Sequence, residues 1–243
     1  MPHYKSYRIG PSKTPIIVKL LLILILSISL FTAIVTPFLK ANYLQYIFGI
    51  SLDGIKNVFL WQFITYSFLQ PGYGLDISLI VVLLFNLYLI WMSSTSIIEK
   101  TSQIHYLIFY LLSTIFTAFV ILLTMLIGYK NVIFSSSTVA LYSTLVAWMM
   151  LMPKDTKIFL FFAIAMRHYY LVLGLICINL LSNLSNMDLI SFFAYLSVTI
   201  FAYFYSVIVW QRHSPFHFLN RMERSLIFIS RTIIDKFSKK DKD

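Results

Sequence analysis

The sequence predicts an all-α integral membrane protein: a bundle of six transmembrane helices with both ends in the cytoplasm. Three observations carry this. Of the 243 residues, 59% are hydrophobic and only 12% charged, where a soluble domain carries roughly a quarter charged residues. With a mean hydropathy of +0.83, the chain has too little polar surface to cover a water-facing globule, and it is too apolar and aromatic for disorder. Six windows approach the ~20 mostly apolar residues that a spanning helix needs. The basic residues, finally, gather on one side of the topology those windows define.

In order, the windows are Leu20–Phe38, Asp76–Met92, Ile104–Ile127, Val132–Met152, Arg167–Leu181 and Leu189–Trp210. The first follows Lys5, Arg8, Lys13 and Lys19, as the apolar stretch of a signal peptide would. It is longer than such a stretch and no A-x-A site follows it, so it is read as a retained helix. With the N-terminus inside, 16 of the 19 Lys and Arg residues fall on the inner side, leaving Lys40, Lys56 and Lys130 outside. That asymmetry orients both ends to the cytoplasm and accounts for the net charge of +10 without nucleic acid. The chain divides into a basic N-terminus (1–19), a membrane domain (20–210) and a basic tail (211–243).

In the tail, Leu219, Met222, Leu226, Ile229, Ile233 and Phe237 recur at helical spacing with Arg221, Arg224 and Arg231 between them. This reads as an amphipathic helix on the anionic inner leaflet, or as one docked on the bundle. Lys239, Lys240 and Lys242 follow in solvent near acidic lipid. The connection at about Leu39–Gly74 is semi-apolar and rich in aromatics. Such composition suits a structure partly sunk into the outer leaflet. Cys177 lies in an apolar run and reads as a small core residue.

Within that connection stands Trp61-Gln62-Phe63-Ile64-Thr65-Tyr66-Ser67-Phe68-Leu69. It resembles the W-[RQ]-x-x-T-x-x-F-x signature that precedes the second helix of rhomboid intramembrane proteases. Leu84-Phe85-Asn86 resembles that family's L-F-N, Trp91 followed by Glu99 its W-x-x-G-x-x-L-E, and Tyr110 a tyrosine of its third helix. The likeness covers roughly Leu39–Trp210 and implies a rhomboid-like six-helix fold in a bacterial cytoplasmic membrane.

Rhomboids cut transmembrane segments with a serine in G-x-S-G on the fourth helix and a histidine in H-x-x-G-x-x-x-G on the sixth. A hydroxyl is a weak nucleophile until an imidazole takes its proton. Here the matching stretch is Ser135-Ser136-Ser137-Thr138, with Thr138 in the serine position, or Ser137 after a one-residue shift. Both glycines are absent. Phe193-Ala194-Tyr195-Leu196 places Tyr195 where the histidine belongs, and a phenol with pKa near 10 is a poor base at neutral pH. In this topology His3, His105, His168, His213 and His217 lie at or beyond inner ends, roughly 15–20 Å from the nucleophile position. Lys130, at the outer mouth, is the remaining candidate base and would need burial to lower its pKa.

The resemblance thus implies a catalytically inactive member, comparable to inactive rhomboids and derlins, that binds or chaperones transmembrane segments of client proteins without a cofactor. Asn86 matches the family's oxyanion-side asparagine, or makes an interhelical hydrogen bond. The Ser135–Thr138 cluster serves as a helix start, or joins Ala140, Ser143 and Ala147 in a small-residue packing face. Trp61, Thr65, Tyr66 and Gln70 are expected at the membrane interface or against clients, and His168 at the interface beside Arg167. Two other functions stay open: an active rhomboid endopeptidase, and a small-solute transporter. Against the transporter, no acidic or basic residue lies mid-span; Asp76, Arg167 and Asp188 stand at edges. No His, Cys, Asp and Glu cluster suggests a metal.

Overall fold

The computed structural model describes residues 13–39, 43–72, 74–128, 131–160 and 164–240; the side chains of 39, 157–160, 164–165, 217 and 233–240 are outside that description. The chain is mostly helical. Among the described residues, α1 (Ile16–Leu39) leads into three short helices, α2 (Tyr43–Phe48), α3 (Leu52–Lys56) and α4 (Gln62–Thr65), and a 3-10 turn at Tyr66–Phe68. Long helices α5 (Ile77–Lys100) and α6 (Gln103–Ile127) follow, then α7 (Ser137–Leu151). A hairpin of β1 (Lys157–Leu160) and β2 (Ile164–Arg167) precedes α8 (His168–Ser185), α9 (Leu189–Ile208) and α10 (Asn220–Lys240).

Among the described residues, α1, α5, α6, α8 and α9 are long and apolar enough to cross a membrane. Their outward faces stay apolar, with Ile23, Phe31, Val81, Phe119 and Ile178 exposed. In water this much exposed hydrocarbon would drive association; lipid removes the cost. The chain is therefore a multi-pass membrane protein.

The fourth window behaves differently. Only Ser137–Leu151 is helical, 15 residues or about 22 Å of rise, shorter than the ~30 Å hydrocarbon layer. Its first five residues run extended instead. Phe134 pairs with Ile50 through both backbone bonds, and the Ser136 N–H donates to the Tyr66 carbonyl at 3.0 Å. The non-helical backbone is satisfied by protein: its groups pair with Ile50 and Tyr66. Ser136 then caps α7 by accepting the Thr138 N–H at 3.2 Å.

α7 is also the central helix. Every residue from Val139 to Leu151 is buried, as expected for a helix without a polar face. Small residues let its neighbours approach: Ala140, Ser143 and Ala147 on α7, and Ala194, Ala202 and Ser206 on α9, are at most 1% exposed. On α5 the buried residues Leu79, Leu83, Asn86, Ile90, Ser93 and Ile97 alternate three and four apart, a coiled-coil-like seam.

Other boundaries moved for local reasons. α5 continues eight residues beyond Met92 to Lys100, and Lys100 Nζ donates at 2.8 Å to the carbonyl of Leu151, satisfying an orphan acceptor at the end of α7. Arg167 ends a β-strand rather than beginning a span; the Lys157↔Arg167 register was not legible in an all-α reading. His168 is not interfacial. It is 0% exposed, with ring nitrogens at 3.2 and 3.3 Å from the carbonyls of Thr156 and Met149.

The tail helix docks. Its side toward α9 holds Glu223 and Ile227, with Ser230 beside them, all buried. Glu223 accepts the Tyr203 hydroxyl at 2.7 Å and the Ser214 N–H at 3.1 Å. His213 Nδ1 lies 3.3 Å from Glu223 Oε2, the oxygen that accepts the Ser214 N–H.

Candidate functional site

The residues of the connection motif stitch it together. Trp61 Nε1 donates to the Ile47 carbonyl at 3.0 Å, Gln62 Nε2 to that of Tyr46 at 2.6 Å, and Thr65 Oγ1 to that of Phe48 at 2.8 Å. Three side chains thus satisfy three consecutive carbonyls of α2, which are orphaned at the end of so short a helix. Gln62 also accepts the Ser51 N–H at 3.3 Å. A β-carbon at Gly54 would stand 2.1 Å from its side-chain oxygen, so only glycine fits there.

Tyr66 is not an interfacial anchor. It is 0% exposed and donates at 2.8 Å to the Thr114 carbonyl on α6. The ring belongs to the core because the turn at Tyr66–Phe68 points inward over α6 and α7. Trp61, about half exposed, does remain at the surface, while Thr65 is half-buried against α2.

Beside the connection lies a cavity of about 1010 Å³ at the end of the bundle where α6 stops and α7 and α9 start, lined on one side by Gln45, Gln70 and Pro71 of the connection. Its walls include Val82, Val120, Leu123 and Phe193, and its polar floor holds Gln70, Ser136, Thr138 and Tyr195. Thr138 and Tyr195 therefore face one space. Asn86 Nδ2 reaches from α5 to Ser137 Oγ and Thr138 Oγ1, 3.3 Å from each. The Ser137 hydroxyl donates at 2.7 Å to the side-chain carbonyl of Gln70. Asn86, Gln70, Ser137 and Thr138 form one continuous network across α5, α7 and the connection.

Tyr195 bonds Ser136 and also reaches Thr138, hydroxyl to hydroxyl. Its hydroxyl lies 2.9 Å from Ser136 Oγ, and its ring packs edge-on against Tyr142 at 5.4 Å. Sequence reasoning passed over Ser136 as a partner; the signal was its place as the last extended residue before α7, where a capping side chain turns toward the neighbouring helix.

Chemically this layer can hold, but it is poorly built to activate. An amide oxygen accepts a hydrogen bond from Ser137 and cannot take its proton under ordinary conditions. Of the histidines, His105 contacts Ser102 at the start of α6, while His168 and His213 sit at the same end of the bundle as Lys100. His3 and Lys130 lie outside the described residues, as does the side chain of His217, so the lysine-base reading of Lys130 gains no geometry. Among the described residues, no three His, Cys, Asp or Glu side chains converge to hold a metal.

A second polar cluster was not anticipated. Glu223 falls inside the apolar stripe of α10, and that misplaced acid was the available signal. Burial pushes its carboxyl up, but hydrogen bonds from Ser214, Tyr203 and His213 hold it below the usual carboxylate range.

Comparison with family models gives no match to this chain, and comparison with curated proteins gives none either. The likeness to rhomboids rests on the residues and motifs named above.

Proposed function

We propose that this chain is a rhomboid-like membrane protein without proteolytic activity that binds transmembrane segments of other membrane proteins in the cavity between α6, α7 and α9. In this reading α7 is a sixth, shortened span, both ends are cytoplasmic, and the membrane is a bacterial inner membrane, as the 16 inner basic residues support. One observation carries the reading: Thr138 Oγ1, at the nucleophile position, meets the Asn86 amide, the Ser137 hydroxyl of the shifted alignment donates to the amide of Gln70, and the group at the base position is a phenol bonded to Ser136. The cavity offers apolar walls to a hydrocarbon surface. Its floor offers amides and hydroxyls to backbone groups left unpaired in a client helix, which are costly in lipid.

The test uses a photoreactive phenylalanine at Thr138, with the same probe at lipid-facing Ile108 as control, and a synthetic transmembrane peptide in the same vesicles. Crosslinking at Thr138 that unlabelled peptide competes away, with the peptide recovered at its intact mass, is the expected result. A fluorophosphonate probe is expected to leave the protein unlabelled. Labelling that disappears in Ser137→Ala, or peptide fragments that disappear with it, would establish an active protease and overturn the proposal.

A further inference from the structure

α10 has three different sides. Glu223, Ile227 and Ser230 are buried against the end of the bundle where α9 stops. About a third of a turn to one side, given 100° per residue, Met222 and Ile229 are 43% and 53% exposed. On the remaining side Arg221, Arg224 and Arg231 face outward, with exposed Phe228 among them. Glu223 is the only acid in 220–232, and it is turned inward and fully covered. The outward charge of this stretch is therefore purely positive.

We propose that α10 is a surface for acidic phospholipid headgroups, held by Glu223 beside the membrane so that Phe228 enters the leaflet while Arg221, Arg224 and Arg231, on the same side of the helix, meet its anionic charge. The placement follows from the tether. The buried side is fixed to the end of α9, a helix long and apolar enough to cross the membrane, which keeps the exposed arginine side of α10 close to the lipid around it. A helix lying on a membrane buries its exposed apolar side chains at the headgroup boundary, and basic residues near an acidic surface each strengthen binding. Docking and lipid contact are thus compatible, because they use different sides of one helix.

The experiment uses the full chain with Cys177→Ser and an environment-sensitive fluorophore on Thr232→Cys, exposed on the arginine side, in vesicles of phosphatidylcholine alone or mixed with phosphatidylglycerol. In mixed vesicles the emission is expected to shift to the blue and to be quenched by nitroxide-labelled acyl chains. Chymotryptic cleavage at Phe228 is expected to slow at least roughly tenfold relative to neutral vesicles, since three surface arginines favour an acidic leaflet on the order of a hundredfold. The Arg221→Gln/Arg224→Gln/Arg231→Gln variant is expected to lose the difference between the two lipids, and high salt to weaken it in the parent. Equal emission and cleavage in both lipids, or a triple variant that behaves as the parent does, would overturn the proposal. None of these readouts involves the cavity.

Discussion

Gln62→Leu is expected to destabilise the protein by about 2–5 kcal/mol, since it leaves two buried backbone groups without partners at roughly 1–3 kcal/mol each. The side chain is 0% exposed and stands between the Tyr46 carbonyl and the Ser51 N–H. Leucine has similar bulk, so the loss isolates the hydrogen bonds rather than a cavity. Gly54→Ala attacks the same contact from the other side, because its β-carbon would occupy the space of the Gln62 side-chain oxygen. The two substitutions act on one interaction and should combine to less than their sum. Thermal unfolding in detergent checks the magnitude, and limited proteolysis at 39–74 checks the location. An unchanged melting curve for both variants would show that the connection holds without this amide. The effect should propagate, because the Tyr66 carbonyl at the end of this unit accepts the Ser136 N–H that starts the cavity floor.

Glu223→Ala is expected to release α10 from α9. It removes a buried carboxylate that accepts from Tyr203 and from the Ser214 N–H, and hydrogen bonds to a charged group contribute roughly 1.5–3 kcal/mol each. Tyr203 and the Ser214 N–H would be left buried and unpaired, while His213, 47% exposed, keeps water. Protease accessibility of the tail, compared with that of the bundle, separates release from global unfolding. Unchanged protection would mean that Ile227 and its apolar neighbours hold the helix alone. The acid also sets a pH dependence. Its carboxyl is held below the usual range in the folded state, so the contribution is complete above an ordinary glutamate pKa of about 4.3 and is lost as pH falls through the lower folded value. Tail protection should therefore be flat through neutral pH and decline only in acid below that range. Glu223→Gln should abolish the decline.

The long spans were legible because lipid demands a composition. The stretches Ile104–Ile127 and Leu189–Trp210 announce themselves by an apolar run, and their observed ends, Gln103–Ile127 and Leu189–Ile208, shift little. The start of α7 was not legible. Val132–Ser136 is as apolar as a helix requires, but Phe134 is taken by Ile50, a residue 84 positions earlier, and no local signal encodes such a pairing. The hairpin at β1 and β2 is a local pairing, Lys157↔Arg167 to Leu160↔Ile164, that failed to show because short apolar runs do not distinguish strand from helix. In the connection, the motif residues were visible as a resemblance; what they bond was not, since Trp61 and Thr65 look like membrane-interface residues until the carbonyls of α2 lie beside them.

The sequence by itself determined the solvent of this protein and the poverty of its interior chemistry. An overall shortage of charge, with hydroxyls and amides in the middle of the spans and histidines at their ends, follows from composition and order alone. Tertiary structure alone decided which of those hydroxyls meet. It paired Tyr195 with Ser136, tied Ser137 to Gln70 across 67 residues, and turned the single acid of 220–232 into a buried latch. These contacts depend on helix rotation and on where α7 begins. A shift of one residue turns a helix face by 100°, which spacing read along a chain does not resolve.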